Sequence, residues 1–390
     1  MQVELRLATI RLVATYKTSG DSQDQEPGIG LLYYYYCSNS RTNMTREHRK
    51  PLGPIVRLNL KMALIFVLIL FSSSAFLVSS AYTGGAASSS NVEVAVANYG
   101  SMSVTVASGG KGVDNVSVGY EPLGQIGWDG RYFWIANFGS GSVALIKASD
   151  NMLKREISGF KGPAGVLYDP SNHLIYVADF EANTVYPVND TSLVVGQGIA
   201  VGTAPEFMAY SPVTNEVYVA NQVAGTVSVI NSQNEVVKTI TIGTPGDNGL
   251  SGIAYVPTTK SIYVIDYDDL GLYQISSNNK VVNFGIFSGN PWNLAFNPVN
   301  GMLYMTATST GEILVVNPKT LDLRAEITCP GTICAQQAVP TGVAYDAQNG
   351  FVYVSDDANN ILIPINGTKI VTPVIPTGEY PQGVTAGNPF

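Results

Sequence analysis

Short apolar runs bounded by turn-forming residues follow one another along most of this chain. From about residue 91 onward, runs of four to seven residues are rich in Val, Ile, Thr and Tyr, as in Thr226–Ile230 and Val236–Ile242. Gly, Pro and Asn separate these runs, and this combination is typical of β-strands joined by tight turns. No part of the region repeats its apolar residues with the 3.6-residue period of a helix over three turns. The pattern therefore predicts an all-β domain.

A tetrapeptide of the form aromatic-Val-Ala-Asn/Asp marks an internal repeat within these runs. Its seven copies begin 39 to 49 residues apart. They start at Ala95, Trp134, Tyr176, Tyr218, Tyr263, Tyr304 and Tyr353. An apolar run opened by Pro or Gly precedes the tetrapeptide, and a Gly/Asn turn and two further strand-like runs follow it. A period of about 40–45 residues with four strands is that of a β-propeller blade.

The two ends of the repeating region complement each other. The first copy begins at a second strand, Val92–Ala97, whereas an eighth opening run, Pro381–Thr385, stands near the C-terminus. Joining these fragments gives seven whole blades and closes the ring, which leaves only short protected strand edges. We therefore predict a seven-bladed β-propeller over residues 91–390, with four antiparallel strands per blade. A C-terminal inner strand that joins N-terminal outer strands closes the ring.

The repeat resembles that of the YVTN family of β-propellers. The closest copy spans residues 205–242, with Tyr-Val-Ala-Asn at 218–221 and Thr-Val-Ser-Val-Ile at 226–230. The resemblance covers about residues 91–390, although the copies at Ala95 and Tyr304 depart from the pattern. That family includes archaeal surface-layer-associated proteins and secreted or periplasmic propellers, so the resemblance implies an extracellular propeller. Its motif consists of packing and turn residues, so it implies a fold without implying a reaction.

The first ninety residues differ from the repeats. Residues 62–81 follow a basic segment and contain an apolar stretch and small residues at Ser79 and Ala81, which together are typical of a secretory signal. We predict cleavage after Ala81, and an uncleaved signal anchor is the alternative, which would be the only membrane attachment. It would be short, because a membrane span needs about 20 apolar residues. Residues 82–90 form a short Gly/Ser/Ala linker.

Residues 1–61 fit neither the signal nor the propeller. They hold nine of the 21 Lys and Arg but five of the 29 Asp and Glu, so they carry a charge of +4 against −12 for residues 82–390. A signal peptide normally stands at the N-terminus. Our hypothesis is that translation begins at Met62 or Met44 and that the upstream text is a mis-annotated extension. A cytoplasmic tail on a signal-anchored protein is the competing interpretation.

Composition excludes several classes of function. The net charge of −8 argues against nucleic acid as a partner, because phosphate binding needs clustered Lys and Arg. Only 13% of the residues are charged and 45% are hydrophobic, so the chain can bury a large core. Two histidines, His48 and His173, leave little room for histidine-dependent catalysis or haem ligation.

Acidic and amide side chains recur where the predicted second strands end and where the inner strands begin. In a propeller both places lie at one face, around the channel, so these side chains could hold a cation or sugar hydroxyls. The alternative is that each one caps its own turn. Calcium would need six to eight oxygen ligands. The candidate binding residues are Glu121, Asn137, Asp179, Glu206, Asn221, Asp266, Asp356 and Glu379.

Two cysteines and three sequons bear on location. Cys329 and Cys334 stand in one polar insertion before the seventh inner strand, and in a secreted chain such a pair predicts a disulfide. Possible N-glycosylation sites are Asn115, Asn189 and Asn366. Both features are consistent with a secreted, extracellular or cell-surface protein.

These observations favour a binding or structural module whose partners are envelope or surface proteins or glycans. No cofactor is predicted for such a module. The alternative is a metal-dependent lactonase-like or sugar-processing enzyme, which would need a divalent cation such as calcium in the channel. Convergence of three or more candidate side chains on one point would favour the enzyme. A ring of separated, self-capped side chains would favour binding.

Overall fold

The computed structural model describes residues 93–108, 112–243 and 249–387. Within these ranges the regular structure is entirely β, in seven antiparallel sheets. From the channel outward the strands are as follows: blade 1, Pro381–Ala386, Glu93–Asn98, Ser103–Ser108 and Gly112–Ser117; blade 2, Gly127–Trp128, Tyr132–Asn137, Ser142–Lys147 and Met152–Ser158; blade 3, Pro163–Asp169, Leu174–Asp179, Thr184–Asn189 and Ile199–Ala200; blade 4, Pro205–Ser211, Glu216–Asn221, Thr226–Ile230 and Val236–Thr241; blade 5, Leu250–Val256, Ser261–Asp266, Gly271–Ser276 and Val281–Ile286; blade 6, Pro291–Asn297, Met302–Ala307, Glu312–Val316 and Leu323–Thr328; blade 7, Pro340–Tyr345, Val352–Asp356, Ile361–Asn366 and Lys369–Ile370, with Ile375–Pro376 also paired to the third strand.

The predicted fold is confirmed: the seven sheets form the ring of a seven-bladed β-propeller. The ring closes as expected, because the inner strand Pro381–Ala386 pairs antiparallel with Glu93–Asn98, with Val384 opposite Val96. The predicted leader at 62–81, the extension at 1–61 and the linker at 82–90 lie outside the described residues.

The core lies between the blades. The buried apolar side chains of the described residues form seven clusters, and each cluster combines residues of two neighbouring blades. Each second strand therefore faces a neighbouring blade on both sides. This explains why the second strands are nearly continuous apolar runs, whereas sheets with one face in water alternate apolar and polar residues. Ring closure brings Val384 and Ala386 into the cluster between blades 7 and 1.

The tyrosine that opens most copies of the repeat fastens one blade to the next. The hydroxyl of Tyr176 in blade 3 donates to Asn234 Oδ1 of blade 4 at 2.7 Å. In blade 6, the hydroxyl of Tyr304 donates to the Gly367 carbonyl of blade 7 at 2.7 Å. Both acceptors lie in the turn between the third and fourth strands of the next blade. The aromatic ring fills the core while its hydroxyl finds a partner at the rim, as a buried tyrosine requires.

Some strands are shorter than the repeat predicts. In blade 2 the opening run at residues 122–128 forms a strand only at Gly127–Trp128, with isolated bridges from Pro122 to Asn137 and from Gln125 to Gly165 of blade 3. In blade 3 the outer strand is reduced to Ile199–Ala200. The inner strands also approach one another so closely that a Cβ on Gly165 would overlap the carbonyl oxygen of Glu206. Glycine is required there, because the backbone of the next blade occupies the space of a side chain.

Candidate functional site: the mouth of the channel

The links between blades and the turns after the second strands meet at one face of the ring, which we call the mouth. In all seven blades the residue after the second strand donates its backbone N–H to a carbonyl of the link, at 2.7–3.2 Å; the acceptor directly precedes the inner strand in six blades and is Glu121 in blade 2. The donors are Tyr99, Phe138, Phe180, Gln222, Tyr267, Thr308 and Asp357. This repeated bond fixes each link against its own blade. The side chains of these seven donors therefore stand at equivalent positions around the mouth.

The aspartates at the ends of second strands bind the backbone of these links. Asp179 accepts hydrogen bonds from the N–H groups of Lys161 and Gly162 at 2.8 and 2.9 Å. Asp356 accepts one from the N–H of Val339 at 3.0 Å. Both aspartates are fully buried. The other oxygen of Asp356 accepts the side-chain amide of Asn359 at 2.8 Å, so both aspartates are engaged with groups of their own blade at the place where the sequence predicts binding groups.

The asparagines at the same position bind the third strand instead. Asn221 is fully buried, and its amide donates to Thr226 Oγ1 at 3.1 Å and to Ser228 Oγ at 2.9 Å. The same arrangement joins Asn98 to Ser103 and Thr105, and Asn137 to Ser142. Asparagine occurs in blades whose third strand places a hydroxyl beside the amide. The side-chain oxygens of Asn98, Asn137 and Asn221 are buried without a hydrogen-bond partner in the structure.

Asp266 is the most perturbed of the strand-end carboxyls. It is 3% exposed and accepts the backbone N–H of Asp269 at 3.2 Å. Burial raises its pKa to about 6, and the neighbouring charges of Asp268 and Asp269 add to the increase. This carboxyl lies beside Tyr267, one of the seven mouth residues.

The three glutamates predicted near the inner strands occupy two different environments. Glu121 and Glu379 lie on links, and their carbonyls accept the N–H groups of Phe138 and Gly100. Glu379 is exposed, and Glu121 is partly buried with its carboxylate beside Gly139. Glu206 differs from both, because it is 5% exposed and lies inside the mouth.

Glu206 is the most deeply buried of these three glutamates. Burial raises its pKa to about 8, so the carboxyl is protonated at pH 7. Its Oε2 accepts a hydrogen bond from Gln222 Nε2 at 3.4 Å. Its Oε1 points towards blade 2, since a Cβ on Gly124 would lie 3.7 Å from this atom. The neutral carboxyl keeps one O–H available as a donor.

Aromatic rings continue the site from Glu206 across blade 5 to blade 6. The ring of Phe207 packs edge-to-face against Trp292 with centroids 6.2 Å apart. Trp292 makes a second edge-to-face contact with Tyr267 at 5.5 Å. Trp292 and Tyr267 are partly exposed. We call Glu206, Phe207, Gln222, Tyr267 and Trp292 the mouth cluster.

A second carboxyl and amide pair lies on the blade 7 and blade 1 side of the mouth. Gln382 Nε2 donates to Asp357 Oδ2 at 3.3 Å, while Asp357 Oδ1 is buried without a hydrogen-bond partner in the structure. Burial raises the pKa of Asp357 to about 6, against the lowering effect of this hydrogen bond. The carboxyl pairs with an amide here as in the mouth cluster.

Below the mouth, one side chain joins blades that are not neighbours in the ring. Gln125 of blade 2 donates from Nε2 to the Met208 carbonyl of blade 4 at 2.8 Å. Its Oε1 accepts the Met208 N–H, also at 2.8 Å. The Cβ of Gln125 lies near Gly165 of the intervening blade 3. Gln125 therefore bonds blade 2 directly to blade 4.

The sequence missed most of the mouth cluster. Gln222 and Tyr267 directly follow second-strand ends, and Trp292 directly follows the proline that opens an inner strand. These three positions stand at constant offsets from the repeat, so the sequence does mark them. The recurring Asn/Asp position next to them stands out more strongly.

Two absences concern the described part of the chain alone. In residues 93–108, 112–243 and 249–387 no three His, Cys, Asp or Glu side chains form a group that could hold a metal ion. Over the same ranges there is no helix of sufficient length and apolar character to cross a membrane.

The predicted disulfide between Cys329 and Cys334 is present, with the two Cα atoms 5.9 Å apart. It lies in the link from blade 6 to the inner strand of blade 7. Of the sequon asparagines, Asn115 and Asn366 are exposed and Asn189 is partly buried. Asn115 lies in the outer strand of blade 1, and Asn189 and Asn366 end the third strands of blades 3 and 7.

No family model and no curated protein matches this chain. Among solved structures it is similar to the hydrazine synthase of Kuenenia stuttgartiensis, with a TM-score of 0.58 and 17% identity over 74% of this chain and 100% of that one. It is also similar to a catalytically inactive virginiamycin B lyase from Staphylococcus aureus with quinupristin, with a TM-score of 0.58 and 11% identity over 69% and 93% of the two chains. A third similar structure is dihydro-heme d1 dehydrogenase NirN, with a TM-score of 0.55 and 14% identity over 78% and 77%. At these identities the likeness concerns the propeller fold alone.

Proposed function

We propose that this protein is a secreted or cell-surface binding module of the YVTN type and that it holds a neutral glycan at the mouth of the channel. The observation that carries the proposal is the mouth cluster, in which Gln222 bonds to the protonated Glu206 carboxyl and Phe207, the next residue in the chain, packs against Trp292 and through it Tyr267. Ligand sites commonly combine apolar walls with a few fixed polar groups.

The chemistry of the cluster suits a sugar. The partly exposed rings of Trp292 and Tyr267 would offer apolar surface to the C–H face of a pyranose ring, while the partly exposed Gln222 amide can exchange hydrogen bonds with its hydroxyls. The buried, neutral Glu206 holds the Gln222 amide from behind. A neutral sugar also avoids repulsion from the acidic propeller, which carries a charge of −12 over residues 82–390.

The strand-end Asn and Asp residues support binding over metal-dependent catalysis. They are separated around the ring and engaged with backbone or hydroxyl partners of their own blades. The disulfide at the mouth face supports the extracellular placement, because such bonds persist in oxidising compartments. The predicted signal at 62–81 and the YVTN-like repeats also support an extracellular placement.

The experiment is a binding screen of the purified protein against neutral oligosaccharides of hexoses and N-acetylhexosamines, followed by calorimetry on the best ligand. Trp292→Ala should weaken binding by about 30-fold, since loss of a central aromatic contact costs about 2 kcal/mol. Trp128→Ala is the matched control, because Trp128 lies at the far end of the inner strand of blade 2.

Two outcomes would count against the proposal. Equal loss of affinity in the Trp292 and Trp128 variants would mean that the mouth cluster is not the site. A protein that binds no neutral glycan but binds an isolated envelope protein through the mouth would replace the glycan with a protein partner. Addition of a chelator should leave glycan binding unchanged, and a loss of binding would instead favour the cation-dependent alternative.

A further inference from the structure

The outer strand of blade 5 exposes an apolar stripe. The strand Val281–Ile286 begins with a bulge between Val281 and Asn283, and from Val282 onward alternate residues point to the same face of the sheet. Val282, Phe284 and Ile286 share one such face and are 56%, 60% and 70% exposed. Phe284 stacks on Tyr273 of the neighbouring strand, with ring centroids 5.8 Å apart.

Among the described residues no strand pairs with the outer side of this strand, so within them it is a free sheet edge. The N–H of Phe284 donates to the side-chain oxygen of its own neighbour Asn283, at 3.0 Å. An unpaired edge of this kind is a template for pairing with another chain.

The other outer strands carry the usual protection against such pairing. Edges are normally blunted by charged side chains or by short strands. Blades 3 and 7 have outer strands of only two residues. The outer strands of the remaining four blades carry charges, at Asp114, at Lys154, Arg155 and Glu156, at Lys238, and at Arg324 and Glu326. Val281–Ile286 has six residues and no charge.

We propose that this edge is the interface for a second copy of the chain, which pairs antiparallel across a two-fold axis at Phe284. A two-fold contact brings the same surface of each copy together. Centred at Phe284, it places Phe284 opposite its own counterpart and Val282 opposite Ile286 of the second copy. A one-residue slip would pair opposite faces of the strands, so this centre keeps the whole stripe together.

Charge explains why a second copy suits this edge and not the others. In a two-fold antiparallel pair centred on a strand, a central charge faces the same charge, as at Lys238 in blade 4. The blade 5 edge has no charge within the strand. Lys280 just precedes it and would lie opposite Ser288 of the second copy. Phe287 beside that serine is bonded to Leu270, so at each end Lys280 of one copy approaches the turn of the other copy that carries Asp268 and Asp269.

The test is the oligomeric state of the purified full chain. Light scattering coupled to size exclusion should show the mass rising towards that of a dimer between about 1 and 100 µM, because interfaces of modest area have micromolar dissociation constants. Phe284→Lys should keep the protein monomeric over this range. Val299→Lys should leave the dimer intact, because Val299 is a 77% exposed apolar residue in a turn of blade 6. Melting temperatures within a few degrees of the wild type would show that the variants fold.

Cross-linking then tests the register. Phe284→Cys should form an intermolecular disulfide under mild oxidation, since opposite residues of a hydrogen-bonded pair lie about 5.5 Å apart between Cα atoms. Val282→Cys alone should not, because its counterpart lies four residues away along the strand. The wild type, with its native cysteines, sets the background. A wild type that is monomeric at every concentration, or a dimer that Phe284→Lys leaves intact, would overturn the proposal.

Discussion

At the scale of the residue, Glu206 shows how burial changes what a side chain can do. Its pKa of about 8 comes from burial in the mouth. The buried carboxyl of Asp179 accepts three backbone N–H groups, from Lys161, Gly162 and Ala182. Among the described residues, Glu206 has only the amide of Gln222 at 3.4 Å. The neutral form is therefore the stable form in the folded protein.

Glu206 should make stability fall as pH rises. The folded pKa of about 8 lies above the ordinary value of 4.5, so between these values the folded state holds a proton that the unfolded state has lost. We expect the free energy of unfolding to decrease by about 2 kcal/mol between pH 6.5 and 8.5. Denaturant titrations at both pH values measure it.

Glu206→Gln should remove most of that decrease, because the amide cannot ionise. Glu121→Gln, on the link of blade 2, is the control and should retain the wild-type decrease. If Glu206→Gln loses as much stability with rising pH as the wild type, the carboxyl is not the group responsible.

At the scale of the element, each blade contacts its two neighbours in the ring, and blades 2 and 4 are also bonded to each other. Apolar clusters and tyrosine hydroxyls join neighbouring blades. Gln125 adds a link between blades 2 and 4 through both hydrogen-bonding groups of Met208. The loss of this amide matters mainly because it leaves the backbone groups of the buried Met208 unpaired.

Gln125→Leu should therefore destabilise the propeller more than the small change in side-chain volume suggests. Leucine fills a similar volume but leaves the N–H and C=O of Met208 without partners, at a cost of about 1–3 kcal/mol for a buried group. Equilibrium denaturation measures the loss. Gln348→Leu is a suitable control, because Gln348 is an exposed turn residue. Equal stability of the two variants would contradict the link between blades 2 and 4.

At the scale of the whole molecule, one strand closes the ring. Thr341 and Ser355 of blade 7 donate their hydroxyls to the carbonyls of Pro381 and Gln382, at 2.8 and 2.9 Å. On its other side the closing strand pairs with Glu93–Asn98. Its backbone is thus bonded to blade 7 and to the rest of blade 1.

Deletion of residues 379–390 should unfold or aggregate the protein. It removes the partner of Glu93–Asn98, the apolar contacts of Val384 and the acceptors of two buried hydroxyls. Each unsatisfied buried group costs about 1–3 kcal/mol, against a total stability of about 5–15 kcal/mol. Circular dichroism melts and sedimentation provide the measurement. Deletion of residues 388–390 alone keeps this strand and should be tolerated, and equal behaviour of both deletions would refute closure by this strand.

The sequence by itself determined the number of blades, the order of their strands, the closing strand and the disulfide pair. These features depend on local alternation, on turn residues and on a constant repeat length, all of which can be read along the chain. It also marked the Asn/Asp position, but only the structure separates Asp179, bonded to a link, from Asn221, bonded to Thr226 and Ser228.

Tertiary structure alone decided the composition of the mouth. Glu206 and Gln222 of blade 4 are joined through Phe207 to Trp292 of blade 6, and the place of Glu206 directly after a strand-opening proline does not by itself show that its carboxyl is buried. Glu206 differs from Glu121 because the neighbouring inner strands remove its side chain from water. That depends on close approaches, such as that of Gly165 to Glu206, which arise only when seven sheets share one axis.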